Sequence, residues 1–264
     1  MKKSIVSSKA YQSLCTEYYN LDKPAAPPKA LSYYMKHAEK AQGPILEPMC
    51  GTGNFLIPLF QKGFNITGFD NSRHMLGVCR KKRSGESAHD KLYEASFKTF
   101  VPLEKYRLIF IPNGSFCLLA DPKEANYALN RICEWLENEG KFIFEIETLH
   151  AARKDECTWK SNWVRKQDGS LIVLNHIGQF DPENGIETVL CRYEHWKNNR
   201  IKRTETEEFR LKRYAHTDIE KLLHPYGFQI KKSIPPYEKD HAKSIEKAEM
   251  ILYECKKQNK QCSR

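Results

Sequence analysis

Two carboxylates and a pair of glycines have the most informative spacing in the chain. Glu47 lies in the apolar run 45–49, Gly51 and Gly53 follow it, and Asp70 stands 23 residues beyond Glu47, closing a second run rich in β formers, 64–69. Behind the glycines, Leu56, Ile57, Leu59 and Phe60 recur at the spacing of a buried helical face. The pattern predicts strand, tight glycine turn, helix and second strand. Glycines suit the turn because it visits positive φ and because a ligand must approach bare backbone there. The helix that follows opens with N–H groups directed at that ligand. An acid ending the second strand of such a unit binds ribose hydroxyls. Two anionic acceptors around a glycine loop suit a ligand with an amine and a ribose diol, and suit a pyrophosphate less well. An ordinary crossover with a tight turn is the structural alternative.

The flanking chain has to hold that unit in place. Residues 8–23 form an amphipathic pattern with Tyr11, Leu14, Cys15, Tyr18 and Tyr19 on one face. Pro24, Pro27 and Pro28 break it, and a helical pattern resumes over 30–41. After Asp70 come a helix over 73–83 carrying Met75, Leu76 and Cys79, and a short strand over 92–96. Residues 106–113 are the most continuous apolar strand, hence central and parallel. Its carboxyl end, 112–116, opens on the ligand crevice. Asp121, Pro122 and Glu124 start a helix that runs to Glu139-Gly140, and 141–148 is the fifth strand. Between 158 and 214, four β-rich runs are separated by Asp168-Gly169, 182–185 and Asn198-Asn199, the signals of an antiparallel meander. A helix over 217–224 and strands near 228–234 and 249–255 finish the pattern.

Residues 47–53, Glu-Pro-Met-Cys-Gly-Thr-Gly, resemble motif I of the class I S-adenosylmethionine-dependent methyltransferases, acidic-x-Gly-x-Gly-x-Gly, with Met49 where the family has its first glycine. The resemblance covers about residues 40–150 and 213–256. It implies an α/β fold, a doubly wound, mostly parallel seven-stranded Rossmann-like sheet. The implied divisions are an N-terminal helical lid (1–42), a core (43–150 and 213–257), an antiparallel insertion (155–212) and a basic tail (258–264). The implied cofactor is S-adenosyl-L-methionine, with S-adenosyl-L-homocysteine as product, held by Glu47, Met49, Cys50, Gly51, Gly53, Asp70 and Asn71. Met75 stands where the family packs an apolar side chain on adenine; plain core is the alternative. Ser96, followed by Phe97, stands where the family often has an acid that accepts from the adenine amine. In the family the N-terminal helices cover cofactor and substrate, which assigns Tyr19 to the cofactor and Tyr18 to the substrate. The insertion resembles that of small-molecule methyltransferases of the glycine and amino-sugar N-methylating kind. It would serve as a substrate lobe, with Arg192 and Tyr193 as contacts, or as a dimer interface. The Asp-or-Asn-Pro-Pro-aromatic signature of base-methylating enzymes is missing, which lowers the standing of DNA adenine methylation.

Composition narrows the remaining choices. The 264 residues are 40% hydrophobic and 29% charged, with no apolar run long enough to span a bilayer. Ile5-Val6 after Met1-Lys2-Lys3-Ser4 is too short for a signal-peptide core. Nine cysteines, none at Cys-x-x-Cys spacing, indicate neither a zinc site nor a disulfide framework and fit a reducing cytoplasm. The net charge of +10 raises the question of RNA. Lys2, Lys3, the run 80–83, Lys256, Lys257, Lys260 and Arg264 hold as much positive charge as the whole excess, so solvated surface is the stronger reading.

Methyl transfer to a neutral amine needs positioning and desolvation more than acid–base help. An oxygen nucleophile or an ammonium would want a base, and Glu147 and His150 after the fifth strand are the candidates. Asn113, on the cofactor side, and Ser115, on the substrate side, follow the fourth strand. The expected enzyme methylates N or O of a small molecule, as a monomer or homodimer, with no metal. An RNA or protein methyltransferase and a non-catalytic adenosylmethionine-binding protein stand beside it.

Overall fold

The computed structural model describes residues 10–83, 91–152, 158–236 and 245–258. The expectations for Lys2, Lys3, Lys260, Arg264, most of the basic tail and the start of the N-terminal helix lie outside the described residues. The chain forms two compact units, Ala25–Ala152 with Leu211–Arg264, and Met1–Pro24 with Arg153–Arg210.

The larger unit is built on a seven-stranded sheet in the order β10-β11-β5-β4-β1-β2-β3. Its strands are β1 (Ile45–Pro48), β2 (Ile66–Asp70), β3 (Leu92–Glu94), β4 (Tyr106–Ile111), β5 (Leu136–Glu147), β10 (Phe228–Ile234) and β11 (Met250–Lys257). The pairs from β5 to β3 are parallel, and β11 runs antiparallel to both β5 and β10. Its helices are α2 (Pro28–Ala41), α3 (Leu56–Gln61), α4 (Arg73–Lys82), α5 (Pro122–Trp135) and α6 (Ile219–Leu223). The capping signals of α5 are realised: Asp121 accepts from the Lys123 N–H, and Pro122 occupies the first turn.

The other end of α5 departs from the sequence expectation. The helix stops at Trp135, and 136–140 are already strand, with Glu139 at φ 64° and Leu136 opposite Tyr106. Lys257 supplies the reason. Its buried ammonium reaches from β11 to donate to the carbonyls of Cys133 (2.7 Å) and Leu136 (2.9 Å), satisfying the end of the helix at that point. A glycine stop at 140 was therefore not needed.

The smaller unit holds α1 (Ser13–Asp22) and a sheet in the order β6-β7-β8-β9, namely Lys160–Arg165, Leu171–Asp181, Ile186–Lys197 and Arg200–Lys212. The predicted hairpins are present: Asn198 and Asn199 have φ of 51° and 54°, as a two-residue turn of the primed type demands. Helix α1 begins later than its periodicity suggests because Tyr11 is left-handed (φ 59°). The freed N–H groups of Tyr11 and Gln12 donate to Glu207 at 2.7 and 2.8 Å, and that of Leu14 to Glu205 at 2.6 Å. Those carboxyls on β9 do the work of an N-cap. The two N-terminal helices thus join different units, α1 with the meander and α2 with the larger sheet.

Candidate functional site

The loop after β1 carries the predicted chemistry. Met49, Gly51 and Gly53 all have positive φ, 57°, 55° and 78°. Met49 adopts the backbone a glycine would take there, at a cost of about 1–2 kcal/mol, and its half-buried side chain packs on the core. The two glycines serve different ends. A Cβ on Gly51 would meet nothing within 4 Å, so that position borders open space that a ligand can fill. A Cβ on Gly53 would lie 2.5 Å from Cys79 Sγ and 2.9 Å from Ile57 Cδ1, so that glycine lets α4 and α3 close on the loop. Cys50, buried just before Gly51, is fixed by its N–H bond to the Phe69 carbonyl at 3.0 Å.

The two acids lie where the spacing placed them, at the carboxyl ends of adjacent parallel strands. Asp70 accepts from the Gly51 N–H and the Ser72 N–H, both at 2.8 Å, so its carboxylate ties the glycine loop to the start of α4. Burial raises its pKa, and bonds from the Ser72, Gly51 and Asn71 amides pull it back. A carboxylate has about four acceptor sites, which leaves capacity for hydroxyls. Glu47 is 2% exposed, and its Oε2 has no hydrogen-bond partner among the described residues. Burial first, and the neighbouring Asp70 second, push the Glu47 carboxyl well above the ordinary range, against a bond from the Leu56 amide. An orphaned buried acceptor beside a left-handed loop with open space at Gly51 fits an amine-bearing nucleoside ligand.

Next along the same sheet edge, the ends of β4 and β5 bring Asn113, Ser115 and Glu147 together. Asn113 is exposed with φ 55°, and its N–H donates to Glu145 Oε2 at 3.1 Å. The other Glu145 oxygen accepts from the Tyr34 hydroxyl on α2 at 2.6 Å. Ser115 begins a 3-10 turn whose N–H bonds to Pro112. The Glu147 carboxylate is ion-paired with buried Arg213. His150 is exposed, and its N–H is capped by Thr148 at 3.1 Å.

The other expected contacts divide. Met75 is buried in the first turn of α4, where its N–H bonds to the Ser72 hydroxyl, and Asn71 is exposed beside Asp70. The chain leaves β3 next to Asp70, with Ala95 N–H on the Asp70 carbonyl. Ser96 then turns onto Thr99, and Phe97 stacks on Trp135 at 5.9 Å with its edge to Phe69, a core ring. Tyr18, Tyr19, Arg192 and Tyr193 lie in the smaller unit. Tyr18 and Tyr193 meet edge to face at 5.8 Å, Arg192 pairs with Glu194 at 2.9 Å, and Lys23 lies over the Tyr19 ring. The basic run is partly consumed by structure. Lys82 bonds to Asn54, Arg83 is buried with its guanidinium 3.8 Å from the Phe60 ring centroid, and Lys256 pairs with Glu139. No cluster of metal-ligating side chains occurs among the described residues.

Sequence reasoning missed Glu145 and Arg213. An acid inside KFIFEIE, a strand otherwise apolar on both faces, was the available signal for Glu145, since a buried carboxyl must be partnered. Arg213 gave none.

A seven-stranded sheet with one reversed strand, carrying an acid, a left-handed loop and a second acid at its carboxyl edge, is the fold of the class I S-adenosylmethionine-dependent methyltransferases. Residues 45–140 match the family model described as a methyltransferase domain. A protein of Geobacillus sp. (strain WCH70) named as a methyltransferase is 25% identical over 122 residues, 46% of this chain. The chain spans about half the length of the curated relatives it matches. Among solved structures, an S-adenosylmethionine-dependent methyltransferase from Clostridium acetobutylicum ATCC 824 superposes with a TM-score of 0.73 at 19% identity, covering 95% of this chain and 100% of that one. The sugar N-methyltransferase KedS8 from Streptoalloteichus sp ATCC 53650 gives 0.71 at 14% identity, covering 98% and 100%.

Proposed function

We propose that this protein is an S-adenosylmethionine-dependent methyltransferase that acts on nitrogen or oxygen of a small-molecule acceptor. The observation that carries the reading is the pair Glu47 and Asp70 around the open left-handed position at Gly51. A sugar N-methyltransferase structure that aligns over nearly the whole chain supports the acceptor class. When bound, the cofactor supplies an electrophilic methyl group on a sulfonium.

The protein's own residues hold and orient. Asp70, held by the Gly51 and Ser72 amides, would accept from the ribose hydroxyls. Glu47 Oε2, an acceptor without a partner among the described residues, would take the amino-acid end, and buried Met75 would pack at the base end. Asn113 and Ser115 stand at the mouth of the parallel sheet, where ligands of such folds bind. The acceptor heteroatom then needs alignment and exclusion of water more than a strong base. Six cysteines among the described residues are free and buried, whereas Cys133 is disulfide-bonded, contrary to the expectation that the cysteines form no disulfide.

Calorimetric titration of S-adenosylmethionine and S-adenosylhomocysteine into the wild type and Asp70→Ala tests the reading. Affinity of about 1–100 μM, weakened at least tenfold by the substitution, is expected, since losing a charge-assisted hydrogen bond costs about 1.5–3 kcal/mol. Wild-type protein that binds neither compound overturns it.

A further inference from the structure

The Glu147–Arg213 pair stands apart from the loop at 49–53, at the end of β5. The Arg213 side chain is 4% exposed and that of Glu147 30%, so the cation is sealed in and the anion faces outward. The ion pair joins Arg213 Nη1 to Glu147 Oε2. The Glu147 backbone is pinned too: its N–H reaches Cys117 Sγ at 3.2 Å, and its carbonyl accepts from the Tyr214 N–H at 3.3 Å. Oε1 has no hydrogen bond among the described residues and lies against Gly114, where a Cβ would come within 3.4 Å of it and 3.2 Å of Cγ. Burial lowers the Arg213 pKa from its ordinary value, yet a guanidinium stays charged at physiological pH and favours an anion at its partner carboxyl. That makes Glu147 a poor proton acceptor and a good fixed anion.

We propose that Glu147 Oε1 anchors a cationic acceptor nitrogen, and that Arg213 is the positioning residue which holds that carboxylate ionised and aimed over Gly114. The inference rests on the methyltransferase reading and narrows its acceptor to an amine. In the transfer, the bound ammonium first gives one proton to water, and the lone pair of the resulting amine then forms the N–C bond as the C–S pair withdraws to sulfur. Positive charge passes from sulfur to nitrogen, and the extra proton on nitrogen leaves to water. A carboxylate beside the nitrogen stabilises the charge that develops there. A hydroxyl acceptor gains less from the same anion.

The test uses matched probes that differ only in amine against hydroxyl: D-glucosamine with D-glucose, and benzylamine with benzyl alcohol. Binding to the full-length protein saturated with S-adenosylhomocysteine is measured by ligand-observed NMR, and cofactor affinity is measured separately by calorimetry. The wild type should favour at least one amine over its hydroxyl partner by about tenfold or more, the range of a charge-assisted hydrogen bond. Glu147→Gln should abolish that preference while S-adenosylhomocysteine affinity stays within about twofold, because one lost acceptor contact leaves the loop at 49–53 untouched. Arg213→Lys should keep part of the preference, and Arg213→Met should lose it. Equal binding within both pairs, absence of binding by either amine, or a preference that survives Glu147→Gln overturns the anchor. Failure of the wild type to bind S-adenosylhomocysteine overturns the methyltransferase reading instead.

Discussion

Tyr34→Phe isolates one buried hydrogen bond that ties α2 to the sheet beneath the site. The Tyr34 side chain is fully buried, and its ring lies 4.8 Å from Phe110 and 5.2 Å from Phe55. Phenylalanine keeps those ring contacts and deletes only the hydroxyl that donates to Glu145 Oε1 at 2.6 Å. Glu145 is 1% exposed, so water does not readily replace the lost donor. Withdrawing a donor from a buried polar group costs about 1–3 kcal/mol. In a chain of this size each kcal/mol moves the midpoint by about 2–4 °C, so a fall of about 2–12 °C is expected. Thermal unfolding followed by circular dichroism, with calorimetry to check two-state behaviour, reads it directly. A Glu145→Gln variant and the double variant complete a cycle, which should show coupling of at least about 0.5 kcal/mol for partners in contact. A midpoint for Tyr34→Phe within 1 °C of wild type, or strictly additive variants, would refute the assignment of the bond as stabilising.

Two further outcomes follow from the cofactor loop. Gly53→Ala places its Cβ 2.5 Å from Cys79 Sγ at φ 78° and should destabilise by about 2 kcal/mol or more. Gly51→Ala meets open space at φ 55° and should lose cofactor affinity with the smaller fall in midpoint; a larger fall for Gly51→Ala would reverse the division of labour between the two glycines. For Glu47, burial and Asp70 raise the folded carboxyl above its ordinary 4.5. The folded protein therefore holds that proton more tightly than the unfolded chain. The resulting stability is complete below the ordinary value and is lost as pH rises toward the folded one. Glu47→Gln cannot ionise, so in cofactor-free protein its midpoint should gain on that of the wild type as pH rises above the ordinary 4.5. A difference that stays flat, or shrinks with pH, would sink that account.

The local chemistry of the fold was legible because it resides in spacing. The interval from Glu47 to Asp70, the apolar face behind Gly53 and the asparagine pair at 198–199 each impose a backbone shape without help from distant residues. What escaped was set by partners far away in sequence. The end of α5 depends on Lys257, 124 residues from one carbonyl it caps, and the start of α1 depends on Glu205 and Glu207. The loop was readable while its setting was not: Asn113 takes its place from Glu145, and Glu147 from Arg213. Periodicity carries no information on such pairings. Phe97, assigned to the cofactor through resemblance, is a buried ring stacked on Trp135.

The reversed strand β11 imposes an order on biosynthesis. Residues 141–147 of β5 pair residue by residue with 250–256 of β11, yet about a hundred residues of chain, including the smaller unit's meander, are made in between. At a synthesis rate of about 5–20 residues per second, that interval is roughly 5–20 s. Throughout it the KFIFEIE segment has only β4 to pair with, and its other side presents free backbone donors and acceptors on an apolar strand, the kind of edge that recruits other chains. The nascent polypeptide therefore has a defined window of aggregation risk that closes when β11 leaves the ribosome. Chaperone capture timed to that window would protect it.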